Sequence, residues 1–308
     1  MASSELSKSE LVHALLAKAG LPVPLANLRL EARDDRWLIR LPENRVAWFA
    51  NSESGVRRLQ TERRILRLLA SRCTFRVPRV LFESQGAEFD VRSIVPGNAD
   101  PLEVYALVRD QPTLATQIGV AVGNILAEQH ARIAAADVAS WLPWRPSWPE
   151  SRDWIHSRLA QAAHDRRLIA DAQSVMDAYE DISLAETERA LVHTDLGLHN
   201  LAIDPASYAV QGVFDYDSAA WGDRHHDFRY LVFDFDHNDL FDAAASTYES
   251  IAGHRIDRER VLLYNATCAI SYLAFRAGSD PEDRVCGRTL AEDLNWSKRA
   301  ISRVLEPE

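Results

Sequence analysis

"LVHTDLGLHN" (residues 191–200) places one carboxylate, one amide and two imidazoles within ten residues, directly behind a short apolar run. His193, Asp195, His199 and Asn200 are open to three readings at this point: metal ligands, an acid–base pair, or the polarity of an ordinary loop. The next stretch narrows the choice. Past Asp204-Pro205 a second apolar run ends in "VFDYD", which puts Asp215 and Asp217 at a strand terminus. If residues 200–204 and 210–215 pair as a hairpin, Asn200 and Asp215 come to the same end, and Asp195, Asn200 and Asp215 converge.

The whole chain sets the bounds. Its 308 residues suffice for a two-lobed unit with its own core, and 47% apolar with 26% charged residues is ordinary globular composition. A net charge of −10 speaks against nucleic acid or an anionic membrane as partner and suits a cationic small molecule. Cys73, Cys268 and Cys286 are scattered and form no C-x-x-C pair, so neither a disulfide framework nor a cysteine-based zinc site is expected, and a reducing cytoplasm fits. The opening "MASSELSKSELVHALLAKAG" lacks the apolar centre of a signal peptide, and no run reaches the roughly 18 apolar residues of a membrane helix.

Hydrophobic periodicity divides the chain in two. Residues 5–19 read as an amphipathic helix, followed by a hairpin of "NLRLEARD" and "DRWLIRLPE". "VAWFA" is a strand or a loop, "GVRRLQTERRILRLLASR" a helix, and "RVPRVLFES" with "EFDVRSIVPG" completes an antiparallel set. Pro96-Gly97 marks a linker, which sets domains at 1–96 and 97–308. The second part is helical, residues 151–182 included, with a proline-rich loop bearing Trp141, Trp144, Trp148 and Trp154 and a small β insertion around the opening stretch. The fold class is α+β: a small antiparallel β lobe with one helix, then a larger helical lobe.

Phosphoryl transfer asks for a set of this kind. Magnesium takes hard oxygen ligands and few of them from protein. A separate carboxylate orients the attacking hydroxyl, and an asparagine five residues beyond that base is the spacing of a kinase catalytic loop, as in His193-x-Asp195-x-x-x-x-Asn200. "HTDLGLHN" with "VFDYDSAAWGDRHHDF" resembles the aminoglycoside phosphotransferase family, small-molecule kinases of the protein-kinase-like fold. The matched positions are His193, Asp195, Asn200, Asp215, Gly222, Asp223 and Asp227.

The resemblance implies a γ-phosphate moved from ATP or GTP to a hydroxyl-bearing small molecule, with antibiotics among the acceptors. It implies Asp195 as base beside His193, Asn200 and Asp215 as magnesium ligands, and Asp227 as a brace for the loop. Residues 1–96 would bind nucleotide, meeting the purine with the backbone from Ser93 to Val95, and residues 97–308 would carry the catalytic loop and acceptor site. Three departures stand out. Thr194 replaces the family's usual glycine, no G-x-G-x-x-G loop is present, and the phosphate-clamping lysine is missing. Arg40 stands at the lysine's place, with Glu62 as its expected partner.

Two other functions compete. A metal-dependent phosphohydrolase would use His193, Asp195, His199, His226 and Asp227. A catalytically inactive nucleotide-binding protein of the same fold would accommodate the lost lysine. His193 also reads as a purely structural histidine, and Asp223 as a helix N-cap. The acidic residues Asp234, Asp236, Asp239, Asp242, Asp280, Glu282, Asp283, Glu292 and Asp293 either line a cleft for a cationic acceptor or are solvated helix ends.

Overall fold

Strand alternation sorts the N-terminal residues into two faces. The computed structural model describes residues 7–163, 165–232, 237–285 and 287–306. Helix α1 (Lys8–Lys18) opens with a capping box, in which Ser7 Oγ accepts from the Glu10 amide while the Glu10 carboxylate accepts from the Ser7 amide. Strands β1 (Glu31–Arg33), β2 (Arg36–Leu41) and β3 (Arg45–Ala50) precede helix α2 (Glu53–Arg72), and β4 (Val80–Glu83) and β5 (Phe89–Ser93) follow it. The sheet is antiparallel throughout in the order β1-β2-β3-β5-β4. "VAWFA" thus lies in the central strand, paired on both sides.

Ile39, Leu41, Ala47, Phe49, Phe89 and Val91 point one way and pack with Val12 and Leu16 of α1, and Phe49 stacks on Phe89 at 4.7 Å. The opposite parity carries Arg36, Trp48, Asp90 and Arg92. Three of these four are charged and all three are buried, and they meet Glu62 and Arg63 of α2. A buried charged layer thus lies between sheet and helix.

Two units emerge, Met1–Pro96 with Gly212–Asp217, and Gly97–Gln211 with Ser218–Glu308. The short segment joins the first unit because Gly212 forms a parallel bridge with Arg76 and Val213 N donates to Arg76 O at 3.0 Å. Glycine is required there, since a Cβ on Gly212 would lie 2.3 Å from that carbonyl.

The second unit begins with α3 (Pro101–Asp110), α4 (Pro112–Arg132), α5 (Ala135–Val138), α6 (Arg152–Ala162) and α7 (Arg166–Glu180). The stretch 151–182, expected to be helical, is divided into two helices. Asp165 caps α7 by accepting from the Arg167 and Leu168 amides, which starts a new helix where the side chain competes for backbone donors. The β insertion holds β6 (Arg189–Val192), β7 (Leu201–Ile203), β8 (Val210–Val213) and β9 (Ala220–Asp223), paired as β6-β9 and β7-β8. A 3₁₀ helix (Arg224–Leu231), α8 (Asp239–Ala252), α9 (Arg258–Phe275) and α10 (Leu290–Leu305) complete it. Among the described residues, no helix is long and apolar enough to cross a membrane.

Helices α6, α7, α9 and α10 share a core that includes Leu159, Val175, Ile270 and Ile301. Helix α4 lies against α8 through glycine. A Cβ on Gly119 would come within 2.3 Å of Leu240 O, and one on Gly123 within 2.5 Å of Ala244 O. Backbone atoms cannot swing aside as a side chain does, so the helices would have to separate. Gly119→Ala should therefore destabilise the protein by about 1–3 kcal/mol in a denaturant titration, despite alanine's better helix propensity. An unchanged midpoint would show that α4 and α8 have room to part.

Candidate active site

The loop after β6 is shaped by one buried carboxylate. Asp227 Oδ2 accepts from the His193 amide at 3.1 Å and Asp227 Oδ1 from the Thr194 amide at 3.0 Å. This is the bracing that the resemblance implied. His130 Nε2 contacts the same carboxylate at 3.1 Å, and Gln129 Nε2 donates to Leu191 O at 2.8 Å, so α4 supports both the brace and the strand before the loop. Arg229 Nη2 donates to Thr194 O. Thr194 itself adopts φ +71°, a left-handed conformation in which a β-branched residue is strained and glycine is not. Its hydroxyl donates to Ser218 O at 2.9 Å, a bond that glycine would lack.

These constraints present Asp195. Its carboxylate is 39% exposed, whereas the His193 ring is fully buried and accepts from the Asp195 amide through Nδ1 at 3.3 Å. His193 therefore acts on the loop from within and does not reach a diffusing molecule. Asn200 Nδ2 donates to Asp195 O at 2.8 Å and to Oδ2 at 3.0 Å, and His199 Nε2 lies 3.3 Å from Oδ2. Burial would raise the Asp195 carboxyl, but the hydrogen bond and charge of His199, then the charges of His193 and Arg229, hold it below the usual carboxylate range. The structure brings Asp195, Asn200 and His193 together. His199 is an added contact that only its spacing of four residues from Asp195 could have suggested.

Of the residues a hydrolytic metal site would use, His226 and Asp227 are committed elsewhere. His226 is buried, stacks on Tyr264 at 4.0 Å, and is held well below its ordinary pKa by burial and by the Arg229 charge. Asp227 spends its oxygens on loop amides. Among the described residues, no group of three or more His, Cys, Asp or Glu side chains is placed to hold a metal ion. Asp223 caps the 3₁₀ helix through the His225 amide at 3.0 Å, and also accepts from Tyr264 Oη at 2.6 Å.

In the first unit the expected Arg40–Glu62 pair is not formed. Arg40 is 70% exposed and lies 3.4 Å from Glu31, while Glu62 is buried against Arg92 at 2.5 Å and Arg36 at 3.6 Å. Arg36 and Arg40 share a face of β2, but four residues of strand separate them by about 13 Å. Only the nearer arginine reaches α2. Arg92 stays charged despite burial because Glu62 and Asp90 flank it, with Asp90 Oδ1 at 2.7 Å from Nε. The alternation of "FDVRS" carried the signal for Asp90 and Arg92.

Ser93 ends β5, where its amide donates to Arg79 O at 2.9 Å and the Ile94 amide donates to Asn44 O at 2.7 Å. Val95 follows with a buried side chain. Asp215 belongs to this first unit and takes φ +69°.

Three of the acidic residues, Asp280, Glu292 and Asp293, serve the fold. Asp293 is fully buried, with Arg276 and Arg288 on its two oxygens, and Glu292 completes a capping box with Thr289. Asp280 accepts from the Glu282 amide at 2.9 Å. Asp234 and Asp236 lie outside the described residues.

The sequence profile of the phosphotransferase enzyme family (APH) matches residues 25–264, a span that includes the loop, its brace and the charged layer. The chain belongs to this family. No curated protein matches it in sequence. Solved structures of similar fold include the GDP complex of wild-type aminoglycoside 2'-phosphotransferase-IIIa, at 14% identity and TM-score 0.68, covering 96% of this chain and 99% of that one. The apoenzyme of macrolide 2'-phosphotransferase MphH from Brachybacterium faecium is 18% identical, with TM-score 0.60 and coverage of 97% and 98%. The streptomycin–ATP ternary complex of APH(2")-IIa is 15% identical, with TM-score 0.61 and coverage of 88% and 91%. At these identities the likeness is one of fold. The protein is thus a phosphotransferase-family member with the two-lobed kinase-like architecture.

Two outcomes test this geometry. Arg40→Ala should leave the affinity for any nucleotide the protein binds unchanged in a calorimetric titration, because Arg40 is exposed and is paired with Glu31; a clear loss would return it to the phosphate-clamping place that the resemblance gave it. Asp223 is nearly buried and is held down to about 2, because His225 and Tyr264 outweigh burial. Its folded pKa lies below the ordinary 3.8, so its stabilisation is present above that value and is lost as pH falls towards about 2. The difference corresponds to about 2 kcal/mol. Asp223→Asn should flatten the acid limb of stability against pH in that window, and parallel curves would remove Asp223 as its source.

Proposed function

We propose that this phosphotransferase-family protein is a cytoplasmic small-molecule kinase, moving the γ-phosphate of ATP or GTP onto a hydroxyl of a compact acceptor, with aminoglycoside-like antibiotics as one class to try. The observation that carries the reading is the Asp195–Asn200 loop, braced by Asp227 and presenting a half-exposed, ionised carboxylate. Asp195 accepts the acceptor's hydroxyl proton in a hydrogen bond, aims the oxygen at the phosphorus, and takes the proton as the bond to phosphorus forms. Asn200 holds Asp195 through its amide nitrogen, which leaves the amide oxygen for a cation.

Asn200 and Asp215 offer one amide oxygen and one carboxylate, the hard donors that magnesium prefers. Bound there with the nucleotide, magnesium would neutralise charge developing on the phosphates. The purine would meet the backbone of residues 93–95 through groups other than the two amides already donating. Positioning and fixed electrostatics would supply most of the acceleration. The structures of related fold with bound GDP, ATP, kanamycin and streptomycin support a nucleotide donor and a hydroxyl-rich acceptor.

One observation favours a second reading, nucleotide binding without transfer. No lysine or arginine stands in β3 beyond its first residue, Arg45, so Glu62 has no cation from the central strand.

A nucleotide-turnover screen against aminoglycosides, macrolides, amino alcohols, sugars and nucleosides decides between them. Turnover above the acceptor-free rate, with a phosphate monoester by phosphorus NMR, is expected for at least one acceptor; none across the panel would favour the second reading. On a true acceptor, Asp195→Ala should lower kcat by about 10²–10⁴-fold while leaving nucleotide affinity unchanged. Asn200→Ala and Asp215→Ala should weaken binding of the magnesium–nucleotide complex as well, and calorimetry showing it untouched in both would remove them as metal ligands.

A further inference from the structure

Three peptide planes lead from the end of β6 to Asp195, and each has a partner. Asp227 accepts from the amides of the first two, at His193 and Thr194. The third plane, between Thr194 and Asp195, is gripped at both ends. The Asp195 amide donates to His193 Nδ1 at 3.3 Å, and the Thr194 carbonyl oxygen accepts from Arg229 Nη2. Because a peptide is planar, holding both of its ends fixes the Cα that follows, and with it the direction in which Asp195 sets out its side chain.

The grip matters because of the residue on which it acts. Thr194 stands at φ +71°, where a β-branched side chain crowds its own backbone. Without a hold, this peptide would turn towards an extended conformation and take Asp195 with it. Glycine would need none. Arg229, in the 3₁₀ helix, is fitted for the hold. It is 1% exposed, its guanidinium lies over the Tyr230 ring at 4.8 Å, and its carbonyl accepts from Asn265 Nδ2 of α9 at 2.8 Å. Nη1 donates to His226 Nδ1 at 2.7 Å. A guanidinium offers no lone pair, so this nitrogen of His226 is unprotonated. That agrees with a ring held well below its ordinary pKa by burial, then by the Arg229 charge. The ring is stacked on Tyr264 at 4.0 Å, so one guanidinium fork joins a fixed imidazole to the Thr194 carbonyl.

We propose that Arg229 is the positioning residue for Asp195, holding the left-handed Thr194 peptide in the orientation that glycine would adopt unaided. Its catalytic consequence rests on the kinase reading. Arg229 is buried and acts through Thr194, so its effect falls on the aim of the Asp195 carboxylate and not on the binding of a substrate. The threonine and the arginine thus form a functional pair: the strain that one introduces is the strain that the other contains.

The test combines Arg229→Met with Thr194→Gly in the full chain. Hydrogen exchange of the peptide spanning residues 191–200, read by mass spectrometry, should quicken about 5–30-fold in Arg229→Met, the factor that the strain of one left-handed residue sets. When Thr194→Gly is also present, loss of Arg229 should quicken exchange far less, because glycine keeps the conformation without help. Arg229→Lys keeps the charge and loses the fork, so it should act in the same direction more weakly; it carries the test if Arg229→Met does not fold. Equal acceleration with and without Thr194→Gly would make Arg229 a packing residue only and overturn the proposal, as would no acceleration at all. On an acceptor found by the nucleotide-turnover screen, Arg229→Met should lower kcat by about 10–100-fold with the acceptor KM little changed, and Thr194→Gly should restore most of the loss. A loss confined to KM, or one that Thr194→Gly leaves untouched, would overturn the proposal. A screen that finds no acceptor removes the kinase reading instead, and hydrogen exchange still decides whether Arg229 positions the loop.

Discussion

One carboxylate inside the second unit organises everything around the candidate base. Asp227 accepts the His193 and Thr194 amides at 3.1 and 3.0 Å, at 1% exposure. A loop that turns this sharply points two backbone donors inward, and each would cost on the order of 1–3 kcal/mol if left unmade. Because both are satisfied by one group, the backbone can hold Thr194 at a φ that its own side chain disfavours. Asp195 then projects outward while His193 stays inside.

The support for that carboxylate comes from distant parts of the chain. His130 and Gln129 on α4 contact Asp227 and β6, and Arg229 reaches the Thr194 carbonyl. Helix α4 is in turn held against α8 by glycines that admit no side chain. Packing between two helices thereby bears on the orientation of the Asp195 carboxylate. The connection is mechanical: close-packed interiors transmit small displacements and do not absorb them.

The first unit solves a different problem, a charged layer buried between sheet and helix. Buried ion pairs contribute little net stability, because desolvation offsets the attraction, but removing one partner strands the other. Such a layer fixes which side chain faces which. Arg92 lies between Asp90 and Glu62, Arg36 between Glu62 and Asp217, and Arg58 between Asp217 and Asp35. Each acid has its cation close by, so neither β5 nor the Gly212–Asp217 segment can shift its register without separating charges. The acidic turn before β2 is likewise compensated, since Arg58 holds Asp35.

Local spacing made much of this legible. The five residues from Asp195 to Asn200, the Asp at the end of "VFDYD" and the later Asp227 pointed to the family because catalytic loops are short, and short segments keep their geometry in sequence distance. Alternation in β2 and β5 revealed which residues share a face, since the strand period is two. What no spacing could rank was Arg36 against Arg40: they have equal parity, and only the placement of α2 along the strand decides which one meets Glu62. The same holds for Asp217, whose arginines lie 181 and 159 residues away, and for the acids of the last helix, where Asp293 is buried on two arginines. The sequence by itself determined most elements, the family and the candidate residues of the loop, because these rest on contacts within a few residues. Only the tertiary structure decided which cation meets which acid, because a charge chooses its partner by distance in space, and strand and helix can deliver several candidates of the same type to the same face.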